Sequence, residues 1–377
     1  MKISYVTTYK ALDVHSWSGL SFYLAKALEA QSAELEYIGD LTMKGEKLLK
    51  IKRLLYKKTL GQRYHPGRAL SVATGYADQV AARISPSSDC IFSPGSVPIA
   101  RLATKKPKVF YTDATFAGML DFYDTYSNTC PETIRKGHQL EQEALSSCAL
   151  AIYSSDWAAR TALDNYEVDP KKVKVVPFGA NIECSRTFDD IKRLIAGRSR
   201  TTCRLLFLGV DWVRKGGDLA VETARALNAM GLRTELHIAG IKELPAGLPD
   251  YVVDHGFISK ATPEGRAAIQ QLIAKSHFLI LPTRAEAYGV VFCEANSFGV
   301  PNIATITGGI PTIVKDDVNG RLFPLSAPAA DYAAYISRLF SNYDEYERMA
   351  LASFEEFQQR LNWTVSGKKL IELMREL

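Results

Sequence analysis

The stretch Thr283-Arg284-Ala285-Glu286-Ala287-Tyr288-Gly289-Val290-Val291-Phe292-Cys293-Glu294-Ala295 decides how this chain is read. It follows an apolar run, Phe278 to Leu281, closed by Pro282. A short apolar run stopped by proline reads as a buried parallel strand. The residues after Gly289 read as a helix that ends before Phe298-Gly299-Val300-Pro301. Glu286 therefore falls at the C-terminal end of a strand, and Glu294 about one to two turns into a helix. In open α/β sheets that crevice is where ligands bind. Ionised carboxylates accept hydrogen bonds and sugar hydroxyls donate them, so two acids there suit a hydroxyl-rich ligand. Two glutamates at this spacing are more often a solvated loop acid and a surface helix acid. The preceding strand, the Tyr288-Gly289 turn and the downstream Gly-Pro favour the site.

Outward from this stretch, strands alternate with helices, the pattern of parallel α/β sheets. Strands are predicted over 3–7, 109–112, 149–153 and 173–177, and helices over 19–30, 132–147 and 156–165. A second series restarts with strands at 205–208, 235–239, 278–281 and 303–305, interleaved with helices at 218–230 and 269–275. A chain of 377 residues exceeds the usual single-domain size. Hydrophobic residues make up 47% and charged residues 23%, enough apolar material for two cores. The formal charge of +5 is mild and does not predict a nucleic-acid partner. Six scattered cysteines lack a C-x-x-C spacing and read as reduced thiols. The chain enters its first strand within six residues and holds no run near the ~20 apolar residues that span a bilayer, so a cytoplasmic protein without a signal peptide is expected. The six histidines have no ligand spacing and no Asp-x-Asp ends a strand, so neither a metal site nor a cofactor is predicted.

A second constellation is Leu208-Gly209-Val210-Asp211-Trp212-Val213-Arg214-Lys215-Gly216-Gly217-Asp218. A strand ends at Gly209, the loop carries two adjacent cations, and a helix is predicted to start near Asp218 as its N-cap. Cations and glycines at a strand-to-helix turn suit a diphosphate, because the backbone approaches closely and the side chains supply charge.

Together these stretches resemble the retaining nucleotide-sugar glycosyltransferases of the GT-B fold, family 4 (glycosyl transferases group 1). The family pattern E-G-F-G, Glu-Ala, G-x-P is matched by Glu286-Ala287-Tyr288-Gly289, Glu294-Ala295 and Gly299-Val300-Pro301. A further block, Thr307-Gly308-Gly309-Ile310-Pro311 followed by Asp317 and Asn319-Gly320, matches G-G-x-P and D-x-x-N-G. The resemblance is strongest over residues 204–323.

It implies two Rossmann-like doubly wound domains facing a central cleft. The expected layout is an acceptor domain over 1–182, an interdomain linker over 183–202, a donor domain over 203–362 and a terminal helix, 363–377, returning to the first domain. It also implies roles. Arg214 and Lys215 would stabilise the donor diphosphate, Glu286 would hold hydroxyls of the transferred sugar, and Glu294 the ribose. Backbone around Ala287, Tyr288, Gly289 and Val290 would contact the donor, as would Gly19 in the first strand-to-helix turn. Asp113 would meet the acceptor. The usual family Arg, five positions before the Lys, is Val210 here, and the family His before Asp113 is Thr112. The implied activity is sugar transfer from a nucleoside-diphosphate sugar to a glycan or lipid-linked acceptor in surface polysaccharide or glycolipid assembly. A nucleotide-sugar 2-epimerase and a non-catalytic sugar-nucleotide-binding subunit are the alternatives.

The stretch 44–58, from Lys44 to Lys58, is a basic amphipathic helix with Leu48, Ile51, Leu54 and Leu55 at helical spacing. Either its apolar face packs on the first sheet, or the helix contacts an anionic membrane surface peripherally or holds an anionic acceptor. Leu48, Ile51 and Leu55 are expected in a core.

Overall fold

The computed structural model describes residues 1–377 and divides into two compact units, Met1–Pro177 with Trp363–Leu377, and Phe178–Asn362.

The first unit is built on six strands, β1 (Lys2–Val6), β2 (Glu34–Ile38), β3 (Cys90–Ser93), β4 (Lys108–Thr112), β5 (Leu150–Tyr153) and β6 (Val173–Val175). All pair in parallel, in the order β2-β1-β3-β4-β5-β6. Its helices are α1 (Leu20–Ala30), α2 (Glu46–Leu60), α3 (Leu70–Ala81), α4 (Phe116–Met119), α5 (Pro131–Ser147) and α6 (Asp156–Asn165). β3, β4 and β5 are buried along their cores because helices cover both faces, and they read as near-continuous apolar runs. The terminal helix Trp363–Arg375 packs on α1, where Gly367 is essential. A Cβ there would sit 2.7 Å from the carbonyl oxygen of Ala27. Ser366 Oγ fixes the same helix by donating to the Pro177 carbonyl at 2.7 Å.

One expectation for this unit fails. α2 has no buried residue, and Leu48 is 73% exposed, Ile51 56% and Leu55 56%. The helix is turned so that Leu49, Lys52 and Tyr56 face the body instead. Leu49 packs against the core, while Lys52 Nζ and the Tyr56 hydroxyl donate to the Glu132 carboxylate at 2.7 and 3.0 Å. Tyr56 also stacks on Tyr64 at 5.5 Å. A polar latch and one leucine set the rotation, and the remaining apolar stripe is left facing solvent.

The second unit begins with α7 (Phe188–Ala196), followed by β7 (Cys203–Leu208), α8 (Trp212–Lys215) and α9 (Gly217–Ala229). β8 (Thr234–Ala239), β9 (Val252–Asp254), α10 (Pro263–Lys275), β10 (Phe278–Leu281) and α11 (Val290–Asn296) come next. β11 (Asn302–Thr305), α12 (Ile310–Ile313), β12 (Gly320–Phe323), α13 (Ala329–Ser341) and α14 (Tyr343–Arg360) complete it. The parallel sheet runs β12-β11-β10-β7-β8-β9. Numbered from β7, that is the 6-5-4-1-2-3 order of the dinucleotide-binding fold, and the topological switch lies between β7 and β10. The loops that leave β7 and β10 are therefore the ones expected to flank a ligand.

Residues 183–202, read from composition as a connection between domains, lie inside this unit. Thr187 and Asp190 form a capping box at the start of α7, which buries Ile191 and Ile195. Arg198, 5% exposed, donates to the carbonyls of Gly299 at 2.8 Å and Phe298 at 2.7 Å and to the Tyr346 hydroxyl at 2.6 Å. A buried guanidinium whose hydrogen bonds are met by carbonyls looks like a linker cation in sequence. No helix of the chain is long and apolar enough to cross a membrane.

Candidate functional site

The site is assembled at the switch point of the second sheet. β7 ends at Leu208, and Asp211 caps the short helix α8 by accepting from the Arg214 amide at 3.0 Å. The sequence expectation placed the N-cap at Asp218. Instead Gly216, with φ at 76°, is the cap of α9, and Asp218 sits in that helix's first turn. Only glycine suits this position. A Cβ on Gly216 would overlap the Pro282 carbonyl oxygen and lie 2.9 Å from the Pro282 carbonyl carbon. A Cβ on Gly217 would in turn run into the Trp212 ring, 2.5 Å from its Cδ2. The two glycines let the α8–α9 turn press directly on the loop after β10.

That loop is tied to the turn by hydrogen bonds. The Arg214 carbonyl accepts from the Arg284 amide at 2.7 Å and from Thr283 Oγ1 at 2.9 Å. Arg284 reaches back to Asp218 with bonds of 2.7 and 3.2 Å and also donates to the Val213 carbonyl. Burial tends to raise the Asp218 carboxyl, but the Arg284 guanidinium outweighs it and holds the group below the usual carboxylate range. The consequence is convergence of charge. Lys215 Nζ is paired with Glu286 Oε2, and Arg214 Nη1 lies 3.4 Å from the same oxygen. Arg214 is itself held by the Ala285 carbonyl at 2.9 Å and by Asp211 Oδ2 at 3.3 Å. Lys215 is 8% exposed as a residue, so its ammonium acts in a partly desolvated setting where charge interactions are stronger than in water.

Glu294 occupies the second turn of α11 and is fully buried. Both of its oxygens accept from Lys260 Nζ, at 2.6 and 2.5 Å. Lys260, in the loop between β9 and α10, was not foreseen. It lies 34 residues from its partner, and no local pattern announces a long-range ion pair. His255, earlier in the same segment, serves packing. Its Nε2 meets His237 Nδ1 at 2.9 Å and the two rings stack.

α11 starts at Gly289, whose φ of 93° and contact with the Phe292 ring leave no room for a side chain. Ala287, Tyr288 and Gly289 are buried and Val290 is half-buried. The Tyr288 side chain is structural. Its hydroxyl donates to the Phe178 carbonyl at 2.7 Å, and its ring meets Phe178 edge-on at 5.0 Å. Any ligand contact at this position falls to the backbone.

Arg214, Lys215, Glu286 and Glu294 are thus brought to one end of one sheet. Gly19 and Asp113 lie in the first unit, after β1 and β4. Gly19 closes a turn in which Trp17, Ser18 and Gly19 all have positive φ, at 46°, 55° and 79°. Side chains in that region are strained, and such strain gathers at functional sites. Asp113 is half-buried, close enough to Tyr9 to help raise the phenol, though burial contributes most.

Solved structures share this fold. Sucrose-phosphate synthase from Thermosynechococcus elongatus superposes with a TM-score of 0.71 at 15% identity, covering 100% of this chain and 98% of that one. Anabaena HepE in complex with UDP-glucose superposes with a TM-score of 0.66 at 16% identity, covering 100% of both chains. WaaG, a glycosyltransferase involved in lipopolysaccharide biosynthesis, gives a TM-score of 0.64 at 14% identity over 99% of both chains. The expected GT-B architecture of two Rossmann-like domains is borne out. Among curated proteins, the D-inositol 3-phosphate glycosyltransferase of Geodermatophilus obscurus is 27% identical over 209 residues, 52% of this chain and 46% of that protein. The protein of the same name from Frankia alni is 28% identical over 212 residues, 53% of this chain and 52% of its own length. The chain spans about half the length of these relatives. Residues 202–342, which carry Arg214, Lys215, Glu286 and Glu294, match the model of the family described as Glycosyl transferases group 1.

Proposed function

We propose that this protein is a retaining, metal-independent glycosyltransferase that moves a sugar from a nucleoside-diphosphate donor to an acceptor hydroxyl. The observation that carries the reading is the convergence of Lys215 and Arg214 on Glu286 at the switch point of the second sheet. Two cations held by one carboxylate are prepared for an exchange of anions. The donor diphosphate takes over Lys215 and Arg214, and Glu286 turns to accept from hydroxyls of the transferred sugar. The exchange keeps the two cations paired and the carboxylate hydrogen-bonded, where a buried charge without partners would be costly. Glu294 accepts in the same way from the ribose hydroxyls, which compete with Lys260.

As the bond between the anomeric carbon and the diphosphate oxygen breaks, negative charge grows on the leaving phosphate. Lys215 and Arg214 stabilise it, together with amides at the start of α11, an electrostatic effect of the oxyanion-hole type. The acceptor hydroxyl attacks from the same face, and its proton passes to the leaving phosphate. A new glycosidic bond replaces the old one with configuration retained. Gly19 lets backbone approach the donor phosphate, and Asp113 holds the acceptor.

The donor class is supported by the Anabaena neighbour bound to UDP-glucose, and sugar transfer by the curated relatives' names. A glycan or lipid-linked acceptor in polysaccharide or glycolipid assembly is supported by the WaaG likeness, and a cytoplasmic site of action fits such donors. The test is incubation with UDP-, GDP- and ADP-sugars, with and without glycan and lipid acceptors, in chelator, read by NMR of the anomeric proton. Transfer with retained configuration in chelator is expected. Inverted product, loss in chelator, or epimerised donor without acceptor would overturn it.

A further inference from the structure

The helix α2 presents to solvent what a soluble helix normally hides. Leu48, Ile51 and Leu55, at i, i+3 and i+7, form one stripe, and Leu54 beside it is 51% exposed. The body-facing contacts are made by another face, about a quarter-turn round the helix, with Leu49, Lys52 and Tyr56, and the stripe itself is left facing solvent. The helix is anchored firmly enough to hold that face outward. Glu132 ties down Lys52 and Tyr56 while also pairing with Lys136 at 2.6 Å, and Tyr56 stacks flat on Tyr64. Gly45 and Gly61, both left-handed, end the helix sharply at its two ends.

The charge around the stripe identifies its partner. Between Glu46 and Leu60 stand Lys47, Lys50, Lys52, Arg53, Lys57 and Lys58 against the single acid Glu46. Of these cations only Lys52 turns inward to Glu132. A second copy of this helix would meet the same cations and be repelled. An anionic surface that also accepts apolar side chains satisfies both halves of the face, and a helix lying in the plane of a charged lipid bilayer does so. We propose that α2 is a membrane-docking helix, with its Leu48–Ile51–Leu55 stripe entering the interface of an anionic bilayer and Lys47, Lys58 and, at the margin, Lys50 meeting the headgroups. The proposal stands independently of the transfer reaction, since it rests on the first unit alone.

The test is co-sedimentation of the full chain with vesicles of phosphatidylcholine, with and without about one third phosphatidylglycerol. Two variants go alongside, L48S/I51S/L55S and K47E/K50E/K58E. All six positions are exposed and none belongs to the candidate site, so thermal unfolding should match the parent. The parent is expected to sediment with anionic vesicles and not with neutral ones. Each cation near such a surface is worth roughly fivefold in partition, so the charge variant should lose at least tenfold, as should the serine variant. Binding that is equal on neutral vesicles, or unchanged in either variant, would overturn the proposal. So would a concentration-dependent dimer in sedimentation velocity that disappears in the serine variant, because the stripe would then be covered by a second copy.

Discussion

Replacing Gly216 with alanine isolates the contact on which the site depends. Gly216 has φ at 76°, a region that costs a residue with a side chain about 1–2 kcal/mol. Its new Cβ would also overlap the Pro282 carbonyl oxygen, in a loop tied to the Arg214 carbonyl by Arg284 and Thr283. The clash is with backbone on both sides, so no side chain can swing away. Relief requires roughly 1 Å of movement between the loop carrying Lys215 and the loop carrying Glu286, and a misplacement of that size costs about 100-fold in rate. The strain alone should lower the melting temperature by about 2–4 °C per kcal/mol for a domain of this size. The expected Gly216→Ala protein is therefore folded, melts several degrees lower, and has kcat/KM for sugar transfer reduced about 100-fold. Differential scanning calorimetry and a transfer assay on the same preparation measure both. Parental activity in a protein with the lowered melting temperature would refute the claim that close approach of these loops sets the site.

Three further outcomes are expected. Lys215→Ala should lower kcat about 10²–10³-fold, as does loss of a single oxyanion donor, with little change in melting temperature; a loss confined to KM would show that Lys215 binds ground state and transition state alike. Lys260→Met leaves the fully buried Glu294 without its ammonium. A broken buried pair costs about 3–5 kcal/mol, reduced to about 1–3 because Lys260 is partly solvated, so the ligand-free protein should melt several degrees lower and gain more than the parent on adding nucleoside diphosphate. An unchanged melting curve would show that the pair carries nothing. The third outcome concerns pH. Burial, helped by Arg198, pushes the His277 imidazole down to about 3. Its Nδ1 accepts from the Arg204 amide at 2.9 Å while Nε2 lies 2.8 Å from the Ser199 carbonyl, so a second proton would face an N–H donor. The unfolded chain binds that proton at the usual imidazole pKa, so the contribution is complete above about 6.5 and is lost as pH falls from there toward 3. His277→Asn, which keeps an acceptor for Arg204, should flatten stability across that window; an unflattened profile would assign the dependence elsewhere.

What the sequence announced and what it hid follow from physical range. The strand-turn-helix around Glu286 was legible because Pro282 and Gly289 punctuate a buried run, and β10 falls on the predicted residues, Phe278–Leu281. The cations of the β7 loop were equally plain. β2 and β9 escaped because edge strands are half-exposed and lack a continuous apolar run. Lys260 escaped because its partner is distant in sequence. The rotation of α2 escaped for a different reason. The stronger apolar stripe was assigned to the core, yet the weaker face, with one leucine, a lysine and a tyrosine, held the polar contacts to Glu132. Periodicity shows that a helix has two faces and does not say which one the body takes.

The measurement that bears most directly on the central claim is calorimetric titration of UDP, GDP and ADP into the parent and into the Lys215→Ala protein. The account predicts that at least one nucleoside diphosphate binds the parent and that its affinity falls at least tenfold in the variant. Equal affinity in both proteins, or no binding to the parent at millimolar nucleotide, would contradict a diphosphate site at the β7–β10 switch point.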